Sequence, residues 1–150
     1  MLVTFCGHSQ VSNYDAVAAT LKTVITDLIA EGATEFYLGG YGEFDSMAAH
    51  AVREAKAAHP EIISMLVIPY IDRDFDPALY DNSVYPPLET VPLKFAISKR
   101  NEWIVMLLFY TTTEVYTKFG MVSDELFCQW RSFLKDAFID LSTGFFYLYL

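Results

Sequence analysis

The spacing of apolar residues changes several times along the chain, and each change marks an element. "LVTFC" (2–6) is a short run of β-favouring residues closed by Gly7, which predicts a strand leaving into a loop. Over residues 14–29 the period lengthens to that of a helix, with Val17, Leu21, Val24, Ile25 and Leu28 on one stripe and Gly32 just past the end as a stop. "EFYLGG" (35–40) returns to a strand. Residues 45–59 read as a helix whose small stripe, Ala48, Ala49, Val52 and Ala55, predicts close packing on a sheet, with Pro60 beyond it. "EIISMLVIP" (61–69) is a near-continuous apolar strand of the kind a parallel sheet buries on both faces.

Residues 70–92 form a long polar and aromatic connection, which predicts either a functional lid or an ordered surface meander. "LKFAISKRNEWIV" (93–105) holds a short helix-compatible segment, and "IVMLLFYTTT" (104–113) reads as a fourth strand. Residues 123–142 follow as a helix with Ser123 as N-cap, and "FFYLYL" (145–150) as a fifth strand. The aromatic stripe Phe127, Trp130, Phe133, Leu134 and Phe138 is expected to face a core. The order βαβαβ, loop, βαβ predicts an α/β fold with a mostly parallel five-stranded sheet and helices on both faces.

Composition narrows the function classes. With 150 residues, 53% hydrophobic and 19% charged, the chain is expected to be one globular domain. Its net charge of -9 repels phosphate backbones and anionic membranes, so neither a nucleic acid nor a membrane is an expected partner. Cys6 and Cys128 are far apart and form no CxxC pair, which argues against a disulfide framework and for the reducing cytoplasm. His50 and His59 are nine residues apart without a carboxylate at ligand spacing, so no metal is expected. No basic leader or run of membrane-spanning length is evident. The apolar end "GFFYLYL" must be buried, paired with a partner or a solubility liability, and a homo-oligomer formed through it is one way to pair it.

Candidate chemistry lies in two loops. Residues 7–12 and 39–45 both leave carboxyl ends of predicted strands, where α/β sheets hold ligands. The glycines of "GGYGEFD" allow close approach to the backbone, and the helix that follows offers free amides. Glu43 and Asp45 place negative charge where a phosphate would sit. Their contacts are therefore expected to be ribose hydroxyls, an amino group or water, with phosphate left to the amides of Gly7, His8 and Ser9 or to Arg100. The bland alternatives stand beside these: Asp45 as a helix N-cap, His8 as a solvated loop residue, Arg100 as the partner of an acid. Ser9 and Ser12 have no histidine relay and "GHSQV" is no nucleophile elbow, so a serine hydrolase is not expected.

Taken in order, "CGH" (6–8), "GGYGEFD" (39–45) with Ala48 and Ala49, "IPY" (68–70) and "ISKRNEWIV" (97–105) resemble the SLOG superfamily of Rossmann-like domains, relatives of the LOG phosphoribohydrolases and DprA, and most closely its YpsA-like branch. The resemblance covers residues 2–105 and leaves 106–150 as an atypical tail. It implies a doubly wound fold and a pocket for a nucleotide or nucleotide-derived ligand, ADP-ribose among them, lined by Gly7, His8, Ser9, Gly39, Gly40, Gly42, Glu43, Asp45, Arg100 and Asn101. No bound cofactor is expected. An N-glycosidase-like phosphoribohydrolase, with Glu43 or Asp45 stabilising the oxocarbenium-like ribose or activating water, is the alternative that the LOG likeness implies, and a ligand-free interaction module is a third.

The chain departs from the family in three places. Glu43 stands where LOG enzymes carry Thr, Ser9 stands where relatives have Arg, and the segment after "RNEW" lacks the second Gly-Gly loop. Codons able to encode "VMLLFYTTTEV" read, one frame over, closer to the expected strand. A frameshift after about Val105 and a divergent C-terminus both fit the sequence, and a search of the locus for an in-frame sibling distinguishes them.

Overall fold

The computed structural model describes residues 1–7, 9–71, 76–110 and 145–149. Strand β1 (Leu2–Gly7) is followed by helix α1 (Tyr14–Ala30), β2 (Glu35–Leu38), α2 (Glu43–Lys56), β3 (Ile63–Val67) and β4 (Asn82–Val84). A 3-10 turn (Leu93–Phe95) then leads into α3 (Ala96–Tyr110), and β5 (Phe145–Tyr149) closes the described chain. The sheet runs β4-β3-β2-β1-β5. Neighbours among β1 to β4 are parallel, and β5 lies antiparallel on β1 with Thr4 opposite Leu148. The fold is α/β on a parallel sheet.

Four of the five residues of the predicted stripe are what α1 buries, and Val24 is half-buried beside them. Val17, Leu21, Ile25 and Leu28 are all buried, and the opposite face carries threonines and charges. The helix stops as the sequence indicates. Gly32 takes φ 100° and its amide donates to the Ile29 carbonyl at 2.9 Å, while the Ala33 amide donates to the Leu28 carbonyl at 2.9 Å. Those two bonds form a Schellman cap, and the positive φ explains the glycine. In α2 the fully buried Ala48, Ala49 and Val52 let the helix backbone lie close to the sheet. The crossovers β1-α1-β2 and β2-α2-β3 advance in the same direction, so right-handed connections put both helices on one face. Their packing joins Leu21 and Ile25 to Val3, Phe36 and Leu38 of the strands in one core. Phe5 stacks on Phe36 across β1 and β2 with centroids 6.2 Å apart. Each fully buried Leu, Ile or Phe contributes about 1.5–3 kcal/mol to that core.

Two sequence expectations fail, each for a physical reason. The connection 70–92 is not strandless, because β4 pairs with β3 inside it. The three residues "NSV" carry no alternation to reveal them. They are held by a polar network at the amino end of β3. The carboxylate of Asp81 accepts from the Ser64 amide at 2.8 Å, from the Ser64 hydroxyl and from Lys56 of α2, and the Asp81 amide donates to the Ser64 carbonyl at 3.0 Å. Burial works to raise the Asp81 pKa, but these donors and the lysine charge outweigh it and hold the group below the ordinary aspartate value.

The expected strand at 104–113 is the second failure, since residues 104–110 continue α3. A run that is apolar on all sides has no period of its own. Counted from upstream, Ala96, Arg100 and Ile104 recur every four residues and are all buried, which is a helical face. The predicted helix at 123–142, including Ser123 and its aromatic stripe, and residues 111–113 lie outside the described residues.

Candidate functional site

The carboxyl ends of β1, β2 and β3 open on one edge of the sheet, and the loops that leave β1 and β2 are bonded to each other. The Glu43 amide donates to the Ser9 carbonyl at 3.0 Å, and the Glu43 carboxylate accepts from the Val11 amide at 2.7 Å. The loop after β1 is thereby fastened to the first turn of α2. Gly42, the N-cap of that helix, has φ 94° and ψ 170°, and a Cβ there would lie 2.8 Å from the Ser9 Cα. Only glycine allows the two loops to touch in this way.

Asp45 is not the N-cap that its residue type suggests. It is the third residue of α2, and its Oδ2 reaches back to accept from the Tyr41 amide at 2.9 Å, outside the helix. It thus satisfies a donor ahead of the helix rather than one of the helix's own first amides. Burial pushes the Asp45 pKa above the ordinary aspartate value, and the Tyr41 amide and the Arg100 charge offset only part of that shift.

Arg100 comes to the same place from α3. It is buried, and its guanidinium donates to the Gly39 carbonyl, to the Val67 carbonyl at 3.4 Å and, through Nε and Nη2, to the Asn101 side-chain oxygen at 3.0 and 2.7 Å. One cation therefore ties the ends of β2 and β3 to α3. The guanidinium carbon also lies 5.4 Å from the centre of the Tyr41 ring, within cation–π range. A Cβ on Gly39 would meet the Asp45 carboxylate and both terminal nitrogens of Arg100, and one on Gly40 would lie 2.5 Å from the Leu66 methyl Cδ1. Gly42 is thus required by its φ and by the Ser9 backbone, and Gly40 by its φ of 69°, whereas the atoms that a Cβ on Gly39 would meet are side-chain ends.

Of the residues singled out from sequence, Ser9, Gly39, Gly40, Gly42, Glu43, Asp45, Arg100 and Asn101 assemble at this edge, and Gly7 ends β1 beside it. His8 lies outside the described residues. The hydrogen bonds of Arg100 described above go to backbone carbonyls and the Asn101 side chain, and its charge also acts on Asp45. Sequence reasoning gave no role to Tyr41 and Tyr70. Their rings meet edge to face with centroids 6.3 Å apart at 70°, and the Tyr70 hydroxyl donates to the Leu93 carbonyl at 3.3 Å. Their signal was position, since each follows the last residue of a strand by three. Among the described residues there is no cluster of three or more metal-ligating side chains, and no helix is long and apolar enough to cross a membrane. No protein-family model, curated protein or solved structure matches this chain.

Proposed function

We propose that the chain is a SLOG-type, Rossmann-like doubly wound domain of the reducing cytoplasm that binds a nucleotide or nucleotide-derived ligand at the carboxyl edge of its sheet. The observation that carries this reading is the joining of the 9–11 loop to the first turn of α2 over the ends of two parallel strands, with the half-buried Asp45 beside it. Gly40 and Gly42 do not carry it, because their own backbone conformation and neighbours account for them. The exposed Glu43 and half-buried Asp45 suit hydroxyl or amino donors of a sugar or base better than phosphate, whose charge they oppose.

Thermal-shift titration against AMP, ADP, ATP, NAD and ADP-ribose tests the proposal. A ligand that binds only the folded state adds about 2.7 kcal/mol of stability at a hundred times its dissociation constant. A shift with one of these ligands that disappears in Asp45→Ala is the expected result, and no shift with any of them overturns the reading.

The raised pKa of Asp45 favours a second reading, an N-glycosidase-like phosphoribohydrolase. A carboxyl group whose neutral form is favoured by burial can give its proton to a departing base. Release of free base from nucleoside monophosphates, lost in Asp45→Asn, is its expected signature. Binding without turnover leaves the first reading alone.

A further inference from the structure

Two rings at the site have no assigned role. Tyr41 and Tyr70 are half-buried, whereas the aromatic residues of the core, Phe36 and Phe44, are 0% and 1% exposed. They stand over the ends of β2 and β3, outside the hydrophobic core cluster. The position of Tyr41 is fixed from both sides of its own backbone. Gly40 and Gly42 flank it at φ 69° and 94°, and its amide is held by Asp45 at 2.9 Å. Its ring is fixed as well, by the edge-to-face contact with Tyr70 and by the buried guanidinium 5.4 Å from its centre. A tyrosine that only filled space would not need a cation and two left-handed glycines to orient it.

We infer that Tyr41, braced by Tyr70 and Arg100, is an aromatic platform that stacks the base of the ligand, so that the site selects base-bearing nucleotides over bare sugar phosphates. The inference rests on the nucleotide reading above and adds the ligand class. Stacking suits a half-buried ring oriented by these two contacts, because every nucleobase has a π face. The acids then face the sugar.

The test compares three ligands, AMP, ADP-ribose and ribose 5-phosphate, by calorimetric titration of the wild type, Tyr41→Leu and Tyr41→Phe. Leucine keeps the apolar bulk without the ring, and phenylalanine keeps the ring without the hydroxyl. The wild type is expected to bind AMP or ADP-ribose at least about tenfold more tightly than ribose 5-phosphate. Tyr41→Leu should lose about 5- to 140-fold in affinity for the base-bearing ligand, the range spanned by base–aromatic stacking, and should bind ribose 5-phosphate unchanged. Tyr41→Phe should restore the wild-type preference. Equal wild-type affinity for all three ligands, or a preference that survives in Tyr41→Leu, overturns the platform and leaves the nucleotide site standing. So does a loss in Tyr41→Leu that falls equally on ribose 5-phosphate, which would mark a structural role. Failure of the wild type to bind any nucleotide overturns both.

Discussion

At Asp45 two requirements pull against each other: the Tyr41 amide needs an acceptor, and the surroundings disfavour the charge that the acceptor carries. An aspartate whose folded pKa lies above its unfolded value, about 3.9, contributes stability that is complete below that value and is lost as pH rises through the folded pKa. At neutral pH the ionised group is therefore a cost. Asp45→Asn keeps an oxygen for the Tyr41 amide and cannot ionise. It should unfold at a higher urea concentration than the wild type at pH 7, with the difference shrinking toward pH 3.5. A variant less stable at pH 7 than at pH 3.5, relative to wild type, would sink this account. Paired with loss of ligand binding or turnover, a gain in stability is what a residue kept for function produces. The sequence identified Asp45 but misplaced it, because residue type alone suits both the N-cap and the third helical position. The partner that decides between them, the amide of Tyr41, is fixed by two glycine dihedral angles that no residue type specifies.

Glycines at the ends of α1 and α2 have similar φ values and different neighbours, which separates conformational cost from contact. Around Gly32 a Cβ would meet nothing within 4 Å, so Gly32→Ala should cost only the left-handed backbone penalty, about 1–2 kcal/mol. At Gly42 the same methyl group runs into the backbone of Ser9, which cannot yield without moving the 9–11 loop off Glu43. Gly42→Ala should cost about 1–3 kcal/mol more than Gly32→Ala in urea unfolding, and equal costs would mean that the loop contact is slack. Elements were legible where a period lay on one side of them. The stripe of α1 and its glycine stop, the small-residue face of α2 and the apolar β3 are local features. What stayed hidden was set at a distance: β4 depends on Asp81 meeting Ser64 and Lys56, and the helical character of 104–110 depends on residues that precede it.

For the whole molecule the decisive contact is the one between its two ends. The sequence left the terminal apolar run to be buried, paired or a solubility liability, and it offered a second copy of the chain as one partner. In the structure residues 145–149 of that run lie on β1, antiparallel, with Val3 opposite Tyr149 and Gly7 opposite Phe145. Alternation along a strand says nothing about direction, so only the assembled sheet reveals this pairing. It puts β1, which feeds the 9–11 loop, between two neighbours instead of at an edge. Deleting residues 145–150 should strip one side of β1 of its hydrogen-bond partners and turn it into an edge that pairs with other chains. The truncated protein is expected to unfold at lower temperature and to show a mass above the monomer in light scattering, with the full-length chain as reference. If the truncated chain stays as stable and as small as that reference, the two ends do not support each other. The β1 loop would then be held by Glu43 alone. The proposed site depends on that difference, since a loop fastened at only one end would not keep Ser9 against Gly42 while a ligand enters.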